Sequence, residues 1–158
     1  MTLQSAMPVD RNVGRTMELL GGAQTFRETV TSRIEAHDVL EHGLPVGALN
    51  TLVQRFPFLL GSGNMMERAI GISVRTYQRR RDTAEKPLSP EQSSRAWKFA
   101  EIVARASEVL GSEDEAVVWM TKPAMGLDQR RPIDLIGTAA GLELVEDHLS
   151  RIEYGVYS

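Results

Sequence analysis

The chain of 158 residues contains no cysteine. That excludes a disulfide framework and any thiolate-ligated metal site, and it fits a reducing compartment. No apolar run approaches the roughly 18 residues that a bilayer-spanning helix needs. The opening "MTLQSAMPVDRN" lacks the basic start and apolar block of a secretory signal. From these absences a cytoplasmic protein with no membrane partner is expected. Recognisable catalytic groupings are missing too. The histidines are His37, His42 and His148, and the first two are five apart, off a shared helical face. No His-Glu-x-x-His motif occurs. "GSGN" is not a Gly-x-Ser-x-Gly elbow, and "LLGGAQ" lacks the Gly-Lys-Ser/Thr ending of a phosphate loop. The acidic run Glu113, Asp114, Glu115 suits the start of a helix, where the dipole favours anions. A non-enzyme is expected, with no metal and no cofactor.

What the chain does have is ordinary apolar content, 42%, enough for a core without a staple, and an uneven spread of charge. The net charge is −3. Residues 66–98 nevertheless carry eight basic against four acidic side chains, whereas residues 99–158 carry eleven acidic against five basic. A basic middle and an acidic tail point to two jobs with different partners.

Periodicity predicts an almost entirely helical chain. Residues 1–24 show no apolar repeat and are expected to form a loosely ordered arm. Thr25 and Glu28 fit a capping box, although the β-branched "TVTSRIEAHD" also allows a short strand. A helix over 35–42 ends at Gly43. "LPVGALNTLVQRF" places Pro45 at a first helical position and Val46, Leu49, Leu52, Val53 and Phe56 on one stripe. A short helix over 63–70 turns inward Met66, Ala69 and Ile70. Ser89, Pro90 and Gln92 open a long helix that Gly111 stops, and Ser112 caps the next. Pro132 begins a short turn. Thr138 opens a last helix with Leu142, Val145, Leu149 and Ile152 at helical spacing.

The segment "NMMERAIGISVRTYQRRRD" carries the sharpest signal. Two short helices around a Gly-Ile-Ser turn form a helix-turn-helix, with Gly71 at the turn and Ser73 as cap. Ile72 and Tyr77 pack the second helix onto Met66 and Ile70. Val74, Arg75, Gln78, Arg79 and Arg81 then face outward. Ser73 and Thr76 are placed to donate to phosphate oxygens beside free backbone N–H groups. Arginine forks onto guanine and glutamine onto adenine in a major groove, whereas Arg80 and Arg81 suit phosphates. Two departures stand out. Glu67 occupies a crossing point that usually holds a small residue, and Arg81 a position that usually anchors in the core.

From "EHGLPVGAL" to the end, the chain resembles the Xre-type antitoxins that carry a ParS/MbcA-type toxin-binding domain. "GLP", "GISVRTYQRRR", "LSPEQSSR", "WMTKPAMGL…RRPIDLI…TAAG" and "VEDHLSRIEYGVYS" follow in the family's order. The pattern departs at Asp128 and Gln129, where the family usually has two glycines. The resemblance implies an all-α fold: a helix-turn-helix (Xre/Cro-like) unit over 25–98 that binds DNA and dimerises, then a small helical toxin-binding unit over 99–158. It implies an antitoxin that sterically blocks a RES-domain, NAD-depleting toxin and represses its own operon. The implied partners are that toxin and double-stranded operator DNA, with a homodimer and a larger hetero-oligomer with toxin. Leu127, Arg130, Arg131, Arg151, Glu153, Tyr154, Val156, Tyr157 and Ser158 become the expected toxin contacts. Tyrosines fit that role because they bury much area with few rotors. Other assignments remain open at this stage. Tyr154 and Tyr157 also suit packing against Trp119, and Arg130 and Arg131 suit capping of helix C-termini. A helix-turn-helix regulator without a toxin partner, or an interaction module that has lost DNA binding, also fits the residues.

Overall fold

Ser89 begins the longest element of the fold, and its hydroxyl accepts from the Gln92 N–H while the Gln92 side chain accepts from the Ser89 N–H. This capping box satisfies two of the donors that a helix start leaves unpaired. The computed structural model describes residues 9–83 and 86–155. Among them are nine α-helices and no strand. They are α1 (Arg11–Leu19), α2 (Arg33–His42), α3 (Val46–Arg55), α4 (Met65–Ile70), α5 (Val74–Arg80), α6 (Pro90–Leu110), α7 (Glu113–Thr121), α8 (Pro132–Leu135) and α9 (Ala139–Glu153). The fold is all-α, a helix-turn-helix followed by a smaller helical unit.

Helix α6 is apolar on more than one stripe. Ala96, Trp97, Phe99, Ala100, Ile102, Val103 and Ala106 are all buried, so elements must cover it from several sides. Helices α1, α2, α4, α7 and α9 do so. The ring of Phe99 sits edge-on to Phe56 at 5.8 Å and lies 6.3 Å from Phe58, which pins the end of α3 and the following 3-10 turn onto α6. Opposite, Ser93 is buried and its Oγ accepts from the Leu44 N–H at 2.7 Å, while the Leu88 N–H donates to the Leu44 carbonyl. The chain thereby closes on itself before α3 and again before α6.

Several local expectations need correction. Residues 11–19 form a helix instead of a loose arm. The Asp10 carboxylate accepts from the N–H groups of Asn12 and Val13, and Val13, Thr16, Met17 and Leu19 are buried. Gly14 and the polar Thr16 interrupt so short an apolar repeat, and the Thr16 hydroxyl hides by donating to the Asn12 carbonyl. Salt bridges from Arg11 and Arg15 to Glu108 fasten α1 to α6. The capping interaction lies at Ser32 and Glu35, not Thr25 and Glu28, so α2 starts at Arg33. The β-branched run before it pairs with no strand; its Thr31 carbonyl accepts from the Asp10 N–H. Pro45 is the N-cap of α3, one residue outside the helix. The expected boundary at 98/99 falls inside α6, which serves both units.

Between α7 and α8 the chain makes a 3-10 turn, Met125–Leu127, and a narrow antiparallel bridge between Ala124 and Arg130. Both Asp128 and Gln129 lie in the left-handed region, at φ 57° and 61°. These two positions thus require a left-handed backbone, which this chain meets with two side-chain-bearing residues at a cost of about 1–2 kcal/mol each. Asp tolerates this conformation better than Gln. Gln129→Gly should therefore stabilise the fold by about 0.5–1 kcal/mol, after the greater unfolded-state freedom of glycine is subtracted. Thermal unfolding should show this as a rise of about 1–4 °C.

Candidate functional site

The turn between α4 and α5 has the predicted chemistry. Gly71 adopts φ 82° and ends α4. The Ser73 Oγ accepts from the Thr76 N–H at 3.1 Å and donates to Thr76 Oγ1 at 2.9 Å. Ile72 and Tyr77 are buried, as are Met66, Ala69 and Ile70. The Tyr77 hydroxyl donates to Asn50 Oδ1 on α3, and burial pushes its pKa upward. Helix α5 is therefore held from below by an aromatic anchor and from the side by its cap.

Arg75, Gln78, Arg79 and Arg81 are exposed on the outer face of α5. Val74, expected to face outward, is instead half-buried against the core. Arg80 is also placed differently from expectation. Its Nη2 donates to the carbonyls of Lys86 and Pro87 at 3.0 Å each, so it latches the following loop onto the end of α5. Arg81 lies 3.9 Å from Asp82, a weak, solvated pair. The departures at Glu67 and Arg81 leave no strain in the turn: both side chains are exposed.

The second face centres on the loop between α7 and α8 and the end of α9. Met125 is 85% exposed and Tyr154 76%, large apolar surfaces left open to solvent. Tyr154 does not pack on Trp119. That ring stacks on His148 at 6.2 Å and 6°. Gly126 lies over His148 so closely that a Cβ there would sit 2.8 Å from the imidazole. Arg130 and Arg151 are exposed. Leu127 belongs to the chain's own core. Arg131 caps no helix C-terminus; it forks onto Asp134 at 2.7 and 3.0 Å. Glu153 approaches Arg105 at 3.4 Å. Val156, Tyr157 and Ser158 lie outside the described residues.

Sequence reasoning missed the residues that join the two units. Arg55, at the end of α3, forks onto Glu113 at the start of α7, at 2.7 and 2.6 Å, and holds that carboxyl below its ordinary range. Arg68 on α4 reaches Asp134 on α8 at 2.9 Å. Arg131 first, then Arg68, holds the Asp134 carboxyl below its ordinary range. These ionic partners are 58 and 66 residues apart in the chain, so no local spacing announces them. The described residues whose possible metal-ligating atoms cluster are His37, Asp38 and Glu41, all exposed. His37 and Glu41 there make an ordinary i, i+4 surface pair at 3.5 Å. No described helix is long and apolar enough to cross a membrane.

An all-α chain in which a helix-turn-helix with an exposed basic second helix is joined through one long helix to a small helical unit has the architecture of a helix-turn-helix protein with an added C-terminal domain. Two family models match it. The one described as "Antitoxin Xre-like helix-turn-helix domain" covers residues 35–101, and "Antitoxin Xre/MbcA/ParS C-terminal toxin-binding domain" covers 105–155. The chain is 37% identical over 92 residues to "Antitoxin Xre" of Yersinia enterocolitica, covering 58% of this chain and 62% of that protein. It is 31% identical over 121 residues to "Antitoxin Xre" of Photorhabdus laumondii, covering 76% and 79%. A further "Antitoxin Xre", from Pseudomonas putida, is 29% identical over 126 residues, covering 80% and 76%. The chain belongs to the Xre-type antitoxin family, with a ParS/MbcA-like C-terminal domain.

His148 supplies a test of the second face. Burial first, and then the charge of Arg151, lowers its pKa from the ordinary 6.5. The folded state resists a proton that the unfolded chain accepts. Stability from this site is complete above about pH 6.5 and declines as pH falls toward the lowered folded value. His148→Gln should flatten the melting-temperature profile on the acid side of pH 6.5, measured by circular dichroism between pH 7.5 and 5.

Proposed function

We propose that this antitoxin neutralises a RES-domain toxin by stoichiometric steric block and represses its own promoter through α5. The observation that carries the reading is the pairing, in one chain, of an exposed arginine- and glutamine-bearing second helix with a separate open apolar face. The first suits duplex DNA. Arg75 and Gln78 are exposed toward base edges; Arg79 would exchange its long 3.4 Å contact with Thr76 Oγ1 for a base, and the Ser73 hydroxyl, bonded to Thr76 in the free chain, would turn with it to phosphates at the helix start. The second suits a protein. Met125 and Tyr154 offer large exposed anchors, and Arg130 and Arg151 are exposed on the same two chain segments. The excess of acidic side chains after residue 98 suits a basic cleft that would bind a phosphate-bearing dinucleotide such as NAD. Residues 153–158 are assigned to the same partner contact, with 156–158 outside the described residues. A homodimer placing two α5 helices on successive major grooves completes the proposal. Nothing in the chain is assigned catalysis.

Growth assays with the toxin gene expected next to this one test the first half. The full chain should relieve arrest, and a variant lacking residues 153–158 should rescue poorly while still shifting promoter DNA. Persisting arrest with both proteins soluble would refute neutralisation.

The second half makes contrasting predictions for neighbouring arginines. Arg79→Ala should weaken binding to the cognate duplex by roughly tenfold and relax its sequence preference, consistent with loss of a base contact worth about 1–3 kcal/mol. Arg80→Ala should instead lower the thermal midpoint and leave the slope of affinity against salt nearly unchanged, because its guanidinium is already spent on loop carbonyls. Fluorescence anisotropy across a salt series checks both.

A further inference from the structure

Gly126 is a glycine for reasons of space. Its backbone lies outside the left-handed region, so conformation alone would admit a larger residue. A Cβ there would sit 2.8 Å from both Nδ1 and Cε1 of His148, closer than side chains pack. His148 has little room to swing aside. It is buried, and its imidazole lies flat against the Trp119 indole at 6.2 Å and 6°. The indole is fixed in turn: Trp119 packs on the core and its Nε1 is sealed from solvent. The turn Met125–Leu127 therefore has a defined seat. Leu127 enters the core, Gly126 rests on the His148 ring, and the bridge between Ala124 and Arg130 closes the loop. The residue left outside is Met125, 85% exposed.

This seat suits a neutral ring. Glu115 and Lys122 on α7, Asp147 and Arg151 on α9, and Asp128 just past the turn are the charged groups of the surrounding elements. Of these, Arg151 is the one whose charge acts on the imidazole, and it opposes a proton, as burial does. Among the described residues no carboxylate stabilises a charged His148.

We propose that His148, held flat by Trp119, is a positioning residue that sets the Met125 tip through Gly126, and that a proton on the imidazole lifts the turn and weakens docking of the protein partner. The inference rests on the assignment of the Met125 face to that partner. A charged imidazole needs water, and the Gly126 turn covers its Nδ1–Cε1 edge. Lifting the turn hydrates that edge and displaces Met125. A partner that docks on the seated turn selects the neutral ring, so binding and protonation oppose each other. The sign follows from the lowered pKa: docking is full above about pH 6.5 and weakens as pH falls through the lowered value.

Two readouts keep the seat and the docking face apart. In the full chain alone, labelled at its methionine methyls, the Met125 resonance should move as pH falls from about 7.5 to about 5 and hold still in His148→Gln. Against the purified toxin encoded beside the chain, parental affinity should fall about tenfold over that range, beyond any fall seen with His148→Gln or His148→Phe, neither of which takes up a proton. At about pH 7.5, Gly126→Ala should weaken toxin binding about tenfold; in a His148→Ala background, where the space is open, the same change should cost nothing. A general packing defect would add to the His148→Ala loss instead. A Met125 resonance that titrates alike in the parent and His148→Gln overturns the proposal, and so does a Gly126→Ala chain that binds the toxin like the parent. A toxin that binds the parent at no pH overturns the assignment of the face, a separate outcome, while the methyl titration still decides the seat.

Discussion

Burial of the α6 surface is the constraint from which the other contacts follow. A helix of 21 residues with apolar side chains buried on several stripes cannot be covered by a single neighbour. Phe99 packs on Phe56 and Phe58 at the end of α3, Val103 and Ala106 are fully buried further along, and α7 and α9 also pack on this helix. Truncation of a fully buried ring such as Phe99 costs about 3–5 kcal/mol. This one helix therefore couples the folding of the DNA-facing and partner-facing units. The matched family segments, 35–101 and 105–155, meet within it.

Around that axis, long-range ion pairs set the geometry. Arg55 with Glu113 and Arg68 with Asp134 cross between the units at two separate places. Each is partly solvated, so neither contributes much to global stability. Their value lies in orientation: the forked Arg55–Glu113 pair admits few relative placements of α3 and α7, and the single Arg68–Asp134 bond adds a second fixed point. The fold uses burial for stability and these pairs for direction.

Where a residue acts locally, the sequence was informative. The cap at Ser73, the left-handed turn at Gly71, the capping box at Ser89 and the stripe from Val46 to Phe56 all follow from spacing and side-chain chemistry, and the structure contains them. Helix α1 was not legible, because its apolar repeat spans barely two turns and is broken by a glycine and a threonine. Arg80 and Arg131 were assigned to partners because an arginine in a basic run looks available. Only three-dimensional proximity shows that carbonyls and a carboxylate within the chain already occupy them. Leu127 was misplaced for a related reason, since a leucine in a polar loop gives no sign of which way it points. The Arg68–Asp134 pair, between residues 66 apart, had no sequence signature.

The loop held by Asp128 and Gln129 has a kinetic side. Glycines at both positions would leave that backbone free to wander, and docking would have to quench the motion. Here Asp128 and Gln129 restrict it in advance, while the bridge between Ala124 and Arg130 holds its ends together. The entropic toll of ordering is met during folding, so Met125 is presented on a rigid tip. Such a tip favours lock-and-key capture over slow rearrangement. In the docking proposed above, it would also narrow the range of surfaces that this loop accepts and make a costly backbone conformation a source of partner fidelity.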